Sequence, residues 1–247
     1  MATRARPVLL RADVPRLFPD PESADGEGLL AVGGDLGVER LLAAYEQGIF
    51  PWYSQGMPPL WWSPDPRTVM DNERLHVSRS LERELRRERF RVSVNSAFER
   101  VMLECGRERE DGTWILPEMV RAYARLHELG HAASFEVWRD DELVGGLYGV
   151  QRGALFAAES MFHRETNASK VALVAAVRAL FSAGIELFDV QFLTSHLASL
   201  GAYEISRREY LTRLRAARSR SVRLPDVVAR ELLLPPRAAS PEKGRSP

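Results

Sequence analysis

Ser134-Phe-Glu-Val-Trp-Arg139, Asp140-Asp-Glu142, Leu143-Val-Gly-Gly-Leu-Tyr-Gly-Val-Gln151, Arg152-Gly153 and Ala154-Leu-Phe-Ala-Ala-Glu159 run in unbroken succession. The three longer pieces are strand-like, and the two short ones are tight polar turns, so the stretch is expected to fold as an antiparallel meander. Around it the pattern changes to helical. Pro117–Leu129 has a proline early and Gly130 at its end, the usual asymmetry of a helix. Asn167–Ala183 is a long apolar helix closed by Gly184, Leu187–Gln191 a buried strand, His196–Leu200 a short helix and Arg207–Ala217 an arginine-rich one. Upstream, Phe90–Val94 alternates as a strand, Ser96–Cys105 and Ser80–Arg89 are helical, and Leu75–Val77 is a candidate short strand.

That element order implies an α+β fold, with a mostly antiparallel central sheet flanked by helices. It looks like the acyl-CoA N-acyltransferase (GNAT) architecture. Residues 1–70 differ in character. Val38–Glu46 is one amphipathic helix, with Asp35 at or near its cap and Gly48 at its stop. Residues 49–67 form a loop dense in aromatics and prolines, which presents flat apolar surface at little entropic cost. The expected organisation is a small N-terminal domain over 1–70, the acyltransferase-like domain over 71–234 and a disordered tail over 235–247, rich in proline, serine and charge.

The 247 residues are 45% hydrophobic and 28% charged, with formal net charge +0, so bulk charge gives no hint of a nucleic-acid partner. A nucleic-acid site must come from local clusters. Arg83, Arg86, Arg87, Arg89 and Arg91 form one, interleaved with Glu82, Glu84 and Glu88. Arg207, Arg208, Arg213, Arg215, Arg218 and Arg220 form another, poorer in acids. Either can be an ordinary solvated face or a contact for RNA phosphates. The single cysteine, Cys105, reads as a small core residue. There is no secretory leader and no apolar run long enough to span a bilayer, so the expected location is the cytoplasm.

His127-Glu-Leu-Gly-His131 is a literal zinc-protease motif. Gly130 argues against it, because a helix that stops there keeps His131 off the face carrying His127. No Walker or dinucleotide-binding glycine pattern occurs. An acyl-transfer reaction here therefore needs a donor that arrives activated, with no metal and no cofactor. Glu159 stands among apolar residues of a strand, where a carboxylate is costly unless it has a partner or a task. Asp189 and Gln191 are two apart on the next strand, so they share a face and could orient an amine and a carbonyl. Leu147, Phe156, Met161 and Phe188 are apolar neighbours, suited either to plain core or to a pocket for a hydrophobic side chain.

In order along the chain, Gly28–Leu36 (GLLAVGGDL), Gly48–Trp52 (GIFPW), Trp61–Arg67 (WWSPDPR), His76–Ser80, Gly112–Ile115, Tyr123–His131, Glu136–Gly149, Glu159–Phe162, Asn167–Lys170, Asp189–Gln191 and His196–Tyr210 resemble the leucyl/phenylalanyl-tRNA–protein transferases. The resemblance spans roughly 28 to 215 and is specific as a combination. It implies transfer of Leu or Phe (Met less well) from aminoacyl-tRNA to proteins beginning with Arg or Lys, marking them for N-degron proteolysis. By position it assigns Asp189 and Gln191 to the catalytic strand and Glu159 to the acceptor site. It assigns Trp52 and Trp114 to the terminal adenosine, and Leu147, Phe156, Met161 and Phe188 to the side-chain pocket. RNA contacts are expected at Arg83, Arg86, Arg87, Arg213 and Arg215. The partners implied are Leu-tRNA, Phe-tRNA and the acceptor protein, with the enzyme a monomer away from membranes. The competing readings are an acyl-CoA-dependent N-acyltransferase without RNA, a zinc peptidase, and a non-catalytic RNA-binding module.

Overall fold

The computed structural model describes residues 7–107 and 113–224. The expected tail at 235–247 and Gly112 lie outside the described residues. The elements in chain order are β1 (Val8–Leu10), β2 (Leu29–Gly33), α1 (Val38–Glu46), β3 (Phe50–Pro51), β4 (Leu60–Trp62), β5 (Arg67–Met70), α2 (Arg79–Arg86), β6 (Arg91–Val94), α3 (Phe98–Gly106), α4 (Pro117–Glu128), β7 (Ala132–Arg139), β8 (Glu142–Arg152), β9 (Leu155–His163), α5 (Ala168–Ser182), β10 (Leu187–Gln191), α6 (Ser195–Ser199), β11 (Tyr203–Ile205) and α7 (Arg207–Ala217).

The expected meander is β7–β8–β9, the centre of a seven-stranded sheet ordered β11-β5-β10-β9-β8-β7-β6. Every neighbouring pair in that sheet is antiparallel except β9 and β10, which run parallel. The fold is therefore α+β with a mostly antiparallel sheet, as the element order implied. One face packs on α5, whose residues from Val171 to Val177 are all buried. A helix apolar on every side belongs inside a protein. The other face packs on α3, α4 and the N-terminal elements, around Tyr45, Tyr123, Tyr148 and Trp61.

Several strands escape the sequence pattern. β1, β2, β4 and β3 make a separate four-stranded sheet. It is held partly by the buried Trp61, whose indole N–H donates to the Gly33 carbonyl at 2.8 Å. The chain then crosses to the large sheet between Trp62 and Arg67, a few residues before residue 70, and β5 pairs with both β10 and β11. Leu75–Val77 is not a strand. The His76 amide bonds the Leu200 carbonyl at 3.0 Å, while Leu75 and Val77 pack on the α5 side as irregular chain. Asp35 does not cap α1. Gly37 holds the cap position, and Asp35 accepts from the Gly37 amide and from Arg40.

Candidate active site

α4 ends at Glu128, Gly130 takes a φ of +76°, and His131 leaves the helix with its amide on the Leu126 carbonyl. His127 stacks on Phe98 at 4.3 Å, and its Nδ1 lies 2.9 Å from the Ala132 carbonyl. The two histidines of the HELGH segment therefore serve a helix end. Among the described residues, no group of three or more His, Cys, Asp or Glu is placed to hold a metal.

The chemistry collects where β9 and β10 separate. Their parallel pairing covers Leu155–Ala157 against Leu187–Asp189 and then stops. Both strands are irregular at that point. Against β8, Tyr148 pairs Ser160 and Gly149 pairs Ala158, leaving Glu159 as an extra residue. Against β5, Asp189 pairs Val69 and Gln191 pairs Thr68, leaving Val190 extra, with Gln191 at a φ of +59°. Bulges re-aim side chains and end pairing, and these two open a cleft of about 400 Å³. Trp52, Trp114, Glu159 and Gln191 line it, together with Phe50, Ser160, Val190, Phe192, Thr194 and Leu197.

Its floor is polar and strongly organised. The Tyr45 and Tyr123 hydroxyls share a 2.6 Å hydrogen bond, and Tyr123 donates to Glu159 Oε2 at 3.4 Å. Gln191 Nε2 donates to Glu159 Oε1 at 3.4 Å. Burial, reinforced by the nearby Asp189, pushes the Glu159 carboxyl up to about 8, against the lowering pull of the tyrosine hydroxyls and Arg67. Burial, followed by the negative charge on Glu159, also raises both tyrosines well above their ordinary range.

Asp189 is fully buried and its oxygens are committed. Arg67 donates to it twice, Nε to Oδ1 at 2.9 Å and Nη2 to Oδ2 at 2.6 Å. The Gln191 amide adds a bond to Oδ1 at 3.0 Å and Tyr210 one to Oδ2 at 2.8 Å. Four donors fill a carboxylate's usual capacity. Asp189, expected to hold the reacting amine, thus lies beneath the cleft with its oxygens bonded to these donors, while Gln191 and Glu159 line the cleft.

The opposite wall is aromatic. Trp52 (42% exposed) lies 5.8 Å from Trp62 and 5.6 Å from Phe192 (38% exposed), and Phe50 touches Phe192 edge-on at 5.9 Å. Phe192 was not singled out from sequence. Its signal was there: two large apolar residues, Phe192-Leu193, directly after a strand end. The four apolar pocket candidates are placed otherwise. Leu147, Phe156 and Phe188 are fully buried on the α5 face, Met161 packs partly buried beside them, and none borders the open cleft.

Arg83, Arg86 and Arg87 are exposed on α2, with Glu82 holding Arg86 and Glu84 lying 3.9 Å from Arg87. Arg213 and Arg215 are exposed on α7, the former bonded to Glu209 and to the Tyr203 hydroxyl. Arg207 is not part of a surface cluster. It is buried and donates to the Ser63 carbonyl at 2.6 Å. A larger groove of about 940 Å³ lies by the opposite end of β10, where Arg74, Arg178 and Arg213 alternate with Asp71, Glu73 and Glu186. Its charges are mixed, whereas the smaller cleft combines a perturbed carboxyl with aromatic walls, so the smaller one is the candidate site.

Comparison with known proteins identifies the family of the chain. The family profile described as leucyl/phenylalanyl-tRNA protein transferase matches residues 69–215, and that of its N-terminal domain matches 34–65. Proteins named leucyl/phenylalanyl-tRNA–protein transferase from Salmonella newport and Salmonella typhimurium are each 54% identical over 220 residues, 88% of this chain and 94% of theirs. Among solved structures, a GCN5-related N-acetyltransferase-like protein from Streptococcus suis is similar over 64% of this chain and 60% of that one, at 14% identity and a TM-score of 0.32. With two profiles in tandem and relatives matched over nearly their whole length, the chain belongs to the leucyl/phenylalanyl-tRNA–protein transferase family.

Proposed function

We propose that this protein transfers Leu or Phe, and Met less well, from aminoacyl-tRNA to the α-amino group of acceptor proteins that begin with Arg or Lys, marking them for N-degron proteolysis. The observation that carries the reading is Glu159, a carboxyl held on a strand bulge between an aromatic wall and the Gln191 amide. Trp52 and Trp114 offer flat surfaces to the terminal adenosine, and Glu159 offers a counter-charge to a basic first residue. A charged-tRNA donor fits a cytoplasmic enzyme. The arginines of α2 and α7 are the proposed contacts to RNA phosphates.

The reaction is aminolysis of an ester that arrives activated. An α-amino group has a pKa near 8, so a useful fraction is neutral at neutral pH. The amine nitrogen attacks the ester carbonyl, the C–N bond forms, the C–O bond to the ribose breaks, and the proton shed by the amine ends on the released ribose hydroxyl. The enzyme's task is alignment and stabilisation of the developing oxyanion. Gln191 is the cleft's amide donor for that purpose. The apolar layer of Leu147, Phe156, Met161 and Phe188 sets the depth available to the aminoacyl side chain from beneath.

The deciding assay uses radiolabelled Leu-tRNA, an Arg-starting acceptor and ribonuclease. Ribonuclease-sensitive label in the acceptor, absent with a Met-starting protein or with a coenzyme A thioester donor, is the expected result; transfer from the thioester instead would sink the reading. Trp52→Ala is expected to raise KM for aminoacyl-tRNA about 5- to 50-fold, the scale of one lost base stack, with folding unchanged because Trp52 is exposed. A KM within twofold of wild type would remove Trp52 from the donor site. Docking a cation beside Glu159 should also expel its proton. Calorimetry of an Arg-starting peptide at pH 6.5, in two buffers of different ionisation enthalpy, should show net proton release, absent in Glu159→Gln. Equal heats in both buffers would remove Glu159 from acceptor recognition.

A further inference from the structure

We infer that Arg67 and Tyr210 are positioning residues for the transfer, acting through Asp189 to fix Gln191 and, through Gly48, to set the aromatic wall against it. The inference rests on the transferase reading, because it assigns Gln191 a place in that reaction.

Gln191 needs outside support. Its φ of +59° is a left-handed conformation that residues with a Cβ rarely adopt, and such geometry persists only where the surroundings enforce it. The enforcing contact is the bond from the Gln191 amide to Asp189 Oδ1. The same oxygen accepts from Arg67 Nε, and the other oxygen accepts from Arg67 Nη2 and the Tyr210 hydroxyl. A bidentate guanidinium fixes the plane of the carboxylate. Tyr210, from α7, fixes its remaining edge, and its ring lies under the guanidinium at 4.4 Å.

The third nitrogen of Arg67 reaches the other side of the cleft. Nη1 donates to the Gly48 carbonyl at 3.0 Å, and the guanidinium sits 4.8 Å from the centre of the Phe50 ring. Gly48 can approach this closely because it has no side chain. At its φ of +77°, a Cβ would stand 2.8 Å from the Tyr210 ring. Phe50 then supports Phe192, which touches Trp52. One buried cation thus ties the Gln191 wall and the Trp52 wall to a common point. A lysine keeps the charge but not the fork.

The test uses the full-length enzyme with Tyr210→Phe and Arg67→Lys, alone and combined with Gln191→Ala. Tyr210→Phe keeps the ring and is expected to lower kcat about 5- to 10-fold, the scale of one buried hydrogen bond, with KM for both substrates within about twofold. The Gln191 backbone amide should exchange its hydrogen faster by a similar factor. Arg67→Lys should do more, about 100-fold on kcat, as for a misplaced reacting geometry. In the Gln191→Ala background, Tyr210→Phe should lower kcat no further, since the residue it positions is gone. Tyr210→Phe with wild-type kcat and wild-type exchange at Gln191 would overturn the inference. So would an equal loss in both backgrounds, which marks a general structural role. If Arg67→Lys does not fold, Tyr210→Phe still decides. If wild-type enzyme transfers nothing, the transferase reading fails, and the exchange rate at Gln191 alone then decides whether Tyr210 reaches Gln191 through Asp189.

Discussion

Asp189→Ala is expected to lower folding stability by about 3–5 kcal/mol, the usual cost of removing one partner from a buried ion pair. The Arg67 guanidinium would stay behind fully buried, with its Nε and Nη2 donors stripped of their carboxylate and Nη2 left only the longer bond to the Tyr210 hydroxyl. The hydroxyl of Tyr210 and the amide of Gln191 lose theirs as well. Urea denaturation checks this, and a loss under about 1 kcal/mol would show the pair to be dispensable. The consequence for mechanism is direct. Inactivity of the alanine variant reports a collapsed site, not a missing base. Asp189→Asn keeps an oxygen for the Gln191 amide and should retain partial transfer activity. Complete loss of turnover in a folded asparagine variant that still binds charged tRNA would count against a purely organising Asp189.

Glu159→Gln is expected to make the protein more stable than wild type above pH 8 while abolishing its preference for a basic acceptor. The sign follows from linkage. The Glu159 carboxyl is raised from its ordinary 4.5 to about 8 in the folded protein. Between those values the folded state holds a proton that the unfolded chain has released. Stability is then fully present below pH 4.5 and declines as pH rises toward 8. A shift of that size corresponds to about 5 kcal/mol at most, and the partial opening of Glu159 to the cleft reduces the expected loss to roughly 2–3 kcal/mol. Thermal or urea unfolding of both proteins from pH 5 to 9 measures it. Wild type should lose ground to the glutamine variant across that window, and parallel curves would mean Glu159 is ionised in the empty site. In the proposed acceptor role, a site held against its own charge gains when a cationic N-terminus arrives, so acceptor binding would relieve what folding imposes.

The parts of this molecule that are long and periodic were legible in the sequence. The meander β7–β9, helix α5 and the stop of α4 at Gly130 all follow from local pattern, because a strand eleven residues long or a helix fifteen long carries its own signal. The strands of the N-terminal sheet, and β5 and β11, are two to five residues long and draw their stability from partners distant in sequence. No local window contains that information. Phe188 and Asp189 show the same divide within one strand. Alternation alone puts them on opposite faces, so a pocket built from Phe188 and a site built around Asp189 belong to different sides of the sheet. The structure puts Phe188 under α5 and Asp189 against Arg67 and Tyr210.

By itself, the sequence determined the α+β class and the residue types of the candidate site: Glu159 among apolar neighbours, Asp189 and Gln191 two apart, tryptophans in a proline-rich loop. Only the tertiary structure decided which of these line the cleft. The separation of β9 from β10 needs two bulges, and a bulge is a mismatch between strands, invisible in either strand alone. The commitment of Asp189 needs Arg67, 122 residues earlier, and Tyr210, 21 residues later. The elevation of Glu159 needs the exclusion of water by elements distant in sequence and the nearby charge of Asp189, which together outweigh the lowering pull of two tyrosines from α1 and α4. Local sequence specifies what a side chain can do, and packing specifies the electrostatic surroundings in which it does it.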